Sequence, residues 1–208
     1  MALDTYTNLK AAIIKWGKRR DLDLEIDDFI SLAETEMFNN PVENLRVRGQ
    51  NNTYSTTLST SVRTLALPAD YIMQRSARIS VGSDWSDIYY RVPEAMNIRS
   101  GYGQPLYFTI TSQFEFDVIA DQAYTFEAEY LGRPTALSTS NASNEVLANN
   151  PNIYLFGALW ALKQRTEEFA ESQNYYSQFI NAITGANRQY FEGQYGPAPT
   201  MVVDGPTP

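Results

Sequence analysis

Most chemistry near neutral pH draws on a titrating base or an activated nucleophile, and this chain of 208 residues has neither His nor Cys. Their absence removes the commonest general base, the Ser–His and Cys–His nucleophile pairs, nitrogen- or sulfur-bound zinc, and disulfides. Carboxylates, Lys, Tyr and oxygen-bound cations remain. The carboxylates occur in close pairs at Asp27-Asp28, Glu34 and Glu36, and Glu167-Glu168. Two carboxylates flanking a sugar bond can make a glycosidase, but these pairs fall on the outer faces of helical segments, where they read as solvated charge. A second group is Glu115, Asp117, Asp121, Glu127 and Glu129, in a stretch with no Lys or Arg between Arg99 and Arg133. Glu115, Asp117, Glu127 and Glu129 alternate with apolar residues, which predicts that they share the polar face of a sheet. Pairing Phe116 with Phe126 or Ala128 would set carboxylates near Glu127, and like charges directly opposite one another are destabilising. Such a face is either solvated or meets basic residues of another subunit, binds a hard cation such as Ca²⁺, or lines an anionic channel. No Walker A loop, dinucleotide fingerprint, Gly-x-Ser-x-Gly elbow or EF-hand loop is present.

The elements that would carry these residues change character along the chain. Tyr6, Leu9, Ile13 and Trp16 lie at helical spacing, and Gly17 followed by Lys18-Arg19-Arg20 suits a helix end. Ile26, Phe29, Ile30, Ala33 and Met37 form a second stripe, with Asp27 and Asp28 in the dipole-favoured first turn. Between Pro41 and Asn150 the period shifts from 3.6 to 2. Strands are predicted at 45–48, 53–58, 63–67, 76–81 and 85–92, with an antiparallel meander over 106–130. The Ser/Thr/Asn-rich segment 133–149 reads as an exposed return loop. Helical periodicity then resumes from Asn150-Pro151, an N-cap followed by proline at the first helical position. One stripe is Leu155, Ala158, Leu159, Leu162, Thr166 and Phe169; the next is Tyr176, Phe179, Ile180, Ile183 and Tyr190. Gly193 is the expected left-handed cap. The stripes read as two helices with a bend near Glu167 to Ser172; one unbroken helix, roughly 65 Å long, is the alternative.

Composition narrows the class. Hydrophobic residues make up 43% and charged residues 19%, so the chain is expected to fold around a real core. No apolar run approaches the ~20 residues that span a bilayer, and no secretory signal is visible at the N-terminus. A net charge of −8 argues against a DNA-reading surface. The expected fold is α+β: a helical bundle from residues 1–40 and 150–193, interrupted by an antiparallel β domain over 41–149, either sandwich or small barrel. Residues 194–208 form a Pro/Gly-rich tail. Tyr190, Phe191, Tyr195, Met201, Val202 and Val203 are apolar enough there to dock on a partner.

The order of local signatures carries a resemblance. Asp27-Asp28-Phe29-Ile30 and Leu32-Ala33-Glu34 come first, then Leu67-Pro68-Ala69-Asp70-Tyr71 and Gly103-Gln104-Pro105-Leu106-Tyr107-Phe108-Thr109-Ile110. The Phe114/Phe116 strand, Tyr124 to Tyr130, Gly132-Arg133-Pro134, Asn149-Asn150-Pro151 and Tyr154-Leu155-Phe156-Gly157-Ala158-Leu159 follow. From about Leu3 to Tyr190 this succession resembles the head-to-tail adaptor proteins of tailed bacteriophages. The resemblance implies a non-enzymatic virion protein without cofactors. It further implies a ring of copies, usually a dodecamer, below the portal protein, extending the channel through which DNA passes and meeting a downstream tail or nozzle protein. An acidic lumen would repel DNA in passage. Arg46, Arg48, Arg63, Arg75, Arg78 and Arg91 would then be basic counterparts of the acidic face across a subunit boundary. A tail-tube or nozzle ring component and a glycan-binding β module are the alternatives; 14 tyrosines suit interfaces and sugar stacking alike.

Overall fold

The computed structural model describes residues 3–195, and the chain divides into two compact units, 1–48 with 134–208, and 49–133. The fold is α+β, with helices alongside largely antiparallel sheets.

The first unit contains α1 (Tyr6–Gly17), α2 (Ile26–Asn39), α3 (Glu145–Asn149), α4 (Pro151–Arg165) and α5 (Phe169–Tyr195). Thr5 caps α1 by accepting the Asn8 N–H. The chain leaves α1 through Lys18, not Gly17, in the left-handed conformation at φ 55°. Gly17 is the last helical residue, and its missing Cβ lets α1 approach α4, since a Cβ there would lie 2.9 Å from Leu162. Helix α4 packs against α1, α2, α3 and α5. A helix with neighbours on all sides must be apolar all round, and α4 buries Ile153, Tyr154, Gly157 and Ala161 as well as the predicted Leu155, Ala158, Leu159 and Leu162. The last two members of that stripe behave otherwise. Thr166 caps α4, and Phe169, 64% exposed, opens α5. Two helices are therefore formed, separated by Glu167 at φ 59°. Helix α5 runs on through Gly193 to Tyr195, so the glycine is not a left-handed cap. Part of the predicted return loop is also ordered as α3, capped by Asn144, whose side chain accepts the Leu147 N–H.

The second unit is built from two four-stranded sheets. One has the order β1-β10-β3-β4 (Asn51–Leu58, Tyr124–Gly132, Tyr71–Val81, Asp84–Asp87). The other has β2-β8-β7-β5 (Thr64–Ala66, Gln113–Phe116, Tyr107–Ile110, Tyr89–Tyr90). A small pair joins β6 (Tyr102–Gly103) to β9 (Ile119–Ala120). The sheets share one core of Leu58, Ala77, Ile79, Phe126 and Ala128 from the first, and Phe108, Phe114 and Phe116 from the second. Ring contacts cross it: Phe114 to Phe126 at 5.0 Å and Phe116 to Phe126 at 5.4 Å. This is a sandwich with no closed barrel. Two expectations fail. Residues 45–48 form no strand. The stretch 106–130 is not one meander either: β7 and β8 form a hairpin in one sheet while β10 crosses to the centre of the other. The ladders β5–β7 and β6–β9 are parallel.

Candidate interaction surfaces

The sandwich decides where the acidic residues go. Phe116 and Phe126 point inward from facing sheets instead of pairing on neighbouring strands, so the polar side chains beside them point to opposite outer faces. Glu115, on β8, lies across from Thr64 on one side and Thr109 on the other and accepts a hydrogen bond from Thr111 Oγ1 at 2.7 Å. Glu127 and Glu129 lie together on the outer face of the other sheet, on β10. Glu127 is paired within the chain: Arg78 Nε, one strand away, donates to it at 2.7 Å, and the Arg78 guanidinium sits 4.4 Å from the centre of the Trp85 ring. Glu129 accepts from Ser76 Oγ at 3.1 Å. The single acidic face read from the alternation is thus two faces on two sheets, and opposing carboxylates never arise.

Asp117 leaves the surface altogether. It is buried at 1% exposure, because Phe116, Asp117 and Val118 all face inward where β8 ends and the alternation breaks. Its Oδ1 accepts the backbone N–H groups of Leu106 (3.0 Å) and Tyr107 (3.2 Å), and its Oδ2 accepts Arg99 Nε at 2.7 Å. Arg99 also donates its own backbone N–H to the Asp117 carbonyl at 2.7 Å and a guanidinium N–H to the Gln104 carbonyl at 2.8 Å. A buried carboxylate needs this many donors to offset its lost hydration. The effect is to tie the long connection 91–106 to the end of β8. Among the described residues no group of three or more His, Cys, Asp or Glu could hold a metal ion.

The remaining predicted residues lie in α5 and beyond. Tyr190 is half-buried and its ring stands 5.3 Å from that of Phe191, which is 48% exposed. Tyr195 is the last residue of α5; Met201, Val202 and Val203 lie outside the described residues. Upstream on the same helix, Asn187 is buried and holds the segment after α2: its Oδ1 accepts the Arg46 N–H at 2.6 Å and its amide donates to the Asn44 carbonyl at 2.9 Å. Glu43 accepts from both Asn187 and Thr184. Partly buried carboxylate–tyrosine contacts fix the other helices. Tyr154 donates to Glu34 at 2.9 Å, and Tyr176 donates to Glu36 at 2.9 Å. Burial first, and then the nearby Glu34 charge, push the Tyr154 hydroxyl far above its usual ionisation range. Glu34 and Glu36, read from sequence as an exposed pair, are therefore structural acceptors. Lys163 is likewise buried in α4; burial alone would lower its pKa, but bonds to Glu168 (2.6 Å) and Glu171 (2.7 Å) outweigh that and raise it.

The alternation also passed over several exposed apolar residues of the β unit. Tyr89, Tyr90, Val92, Ile98, Tyr102 and Leu106 are 46–66% exposed. They lack any period, and the signal that marks them is only their density in a Pro- and Gly-punctuated stretch. No helix among the described residues is long and apolar enough to cross a membrane.

No curated protein matches the chain. A sequence model of one family matches it over residues 4–200, through the α2 acids, the β7–β8 hairpin and the α4 start in one run. With nearly its whole length so matched, the chain belongs to the SU10 adaptor protein family, structural adaptors of bacteriophages.

Proposed function

We propose that this adaptor is a non-enzymatic head–tail connector: a ring of identical copies below the portal that lengthens the DNA exit channel and hands over to a tail or nozzle protein. The observation that carries the reading is the family match over residues 4–200. The use of charge in the structure supports it. The buried or bonded carboxylates Glu34, Glu36 and Asp117 hold backbone and hydroxyl groups in place, as structural acceptors do. Exposed Glu129, with Glu115 on the other outer face, leaves acidic surface that discourages DNA from sticking in transit. The residues after Tyr195 supply the portal contact, through the apolar Met201, Val202 and Val203. Light scattering on the purified chain, alone and mixed with its portal, tests this. A complex containing several copies per portal is expected. A chain that stays separate from the portal at every ratio would refute the connector role.

A further inference from the structure

The sheet β1-β10-β3-β4 ends in two strands that, among the described residues, pair on one side only: β1 and β4. Edge strands invite pairing with another chain, and folded proteins blunt them by keeping them short or charged. In the other sheet both edges are short, three residues for β2 and two for β5. Strand β4 has four residues, all exposed, and Asp84 and Asp87 are two of them. Strand β1 has neither protection. Its eight residues, Asn51–Leu58, include no charge and no proline. Alternate residues turn their N–H and C=O away from β10. Thr53, Ser55 and Thr57, on the outer face with Glu129 and Glu127, are small and exposed.

We infer that β1 of one copy takes β4 of the next as an additional antiparallel strand, so that the sheets of neighbouring copies run on into one another. Two observations select β4 of a second copy over any other extended peptide. The first is strand direction. Every neighbouring pair in this sheet is antiparallel, so β1 and β4, with two strands between them, run in opposite directions. Adjacent copies in a ring of many members differ by one small rotation. A neighbour set against the β1 edge thus presents β4 antiparallel to β1, and the alternation continues across the boundary. Such a head-to-tail contact joins two different surfaces and closes by rotation. Pairing β1 with a second β1 would turn the partner around and stop at two copies. The second observation is charge. From Gly49 to Ala69 the chain carries Arg63 and no acid. The Arg75 guanidinium also reaches the head of β1, donating to Asn51 Oδ1 at 2.5 Å. From Ile79 to Tyr90 the chain carries Asp84 and Asp87 and no Lys or Arg. Two acids on so short an edge repel a second β4 and leave the neutral β1 edge, beside its arginines, as the matching surface.

The inference rests on the ring reading, and the test separates the two. The chain has no native cysteine, so thiols placed on the two edges report on this contact alone. In the full-length protein Asp87→Cys is combined with Thr53→Cys, Ser55→Cys or Thr57→Cys, three registers on the same outer face. Light scattering, alone and with the portal, gives the mass. A bis-maleimide too short to cross the roughly 14 Å between β1 and β4 of one chain, followed by denaturing electrophoresis, reads the contact. In at least one register a ladder of covalent multimers is expected, at least tenfold above that from either single-cysteine chain. Mixing the β1 and β4 single variants is expected to give a covalent dimer and nothing larger. A multi-copy assembly that no register cross-links, or in which a β1 single variant cross-links to itself, overturns this edge pairing and leaves the ring intact. A single-chain mass under both conditions overturns the ring and this inference together.

Discussion

Asp117 and Tyr154 show how one buried polar atom can outweigh several exposed charges. Removing the Asp117 carboxylate by substitution with Ala strands two backbone N–H groups and the Arg99 side chain that it now satisfies. A loss of about 2–4 kcal/mol is expected from hydrogen bonds to a charged acceptor and the donors left behind, tempered because Arg99 is 42% exposed. Urea unfolding followed by circular dichroism measures it, and an unchanged midpoint would show that the connection 91–106 is held by other contacts. Tyr154 governs alkaline behaviour. Its folded-state pKa lies above the unfolded value of 10.0, so its contribution is complete below pH 10 and falls away as pH rises further. Tyr154→Phe should remove about one proton's share, ~1.4 kcal/mol per pH unit, from the decline of stability above pH 10. Thermal midpoints from pH 8 to 11 test this; parallel slopes in both proteins would contradict it.

Among the elements, α4 is the one the helical unit is packed around, and Gly157 sets its depth. A Cβ at that position would lie 2.8 Å from Ala33 Cβ on α2 and 3.0 Å from the Phe179 ring on α5. Both are core groups with no room to retreat. Gly157→Ala is therefore expected to destabilise by about 1–3 kcal/mol through overpacking, against a helix-propensity gain near 1 kcal/mol. A raised melting temperature would mean that α2 and α5 can move apart. In the β unit, β10 occupies a central position between β1 and β3, and its alternation is clean: Tyr124, Phe126, Ala128 and Tyr130 in, Thr125 and Glu129 out. Gly132 ends it where a Cβ would lie 2.4 Å from both Asn52 and Asp70, the latter accepting from Tyr130.

For the molecule as a whole, the portal contact proposed for an adaptor is assigned to the chain end that the helical unit carries. Deleting residues 196–208 should abolish portal association, read by light scattering, while the cut leaves α5 (Phe169–Tyr195) in place. Retained association would move the portal contact onto the helices themselves.

The sequence alone determined the elements whose pattern depends only on their own faces. The stripe of α2, that of α1 apart from half-exposed Trp16, and the inside-outside order of β10 follow from period and from the side that must leave water, whereas the break between α4 and α5, which the stripes left open to one unbroken helix, is set by Glu167 at φ 59°. The order of its motifs was also enough to point to the adaptor family before any geometry. Tertiary structure decided everything that depends on which strand lies beside which. Phe116 and Phe126 alternate identically whether they are paired in one sheet or facing across two, so the pattern could not say that Glu115 and Glu127 diverge. Nor could it show that Asp117 turns inward, because Leu106 and Tyr107 face it across the antiparallel β7–β8 hairpin and Arg99 reaches it from a long connection, contacts that alternation does not record. Alternation reports the side of a strand, and only the packed sheets report what that side meets.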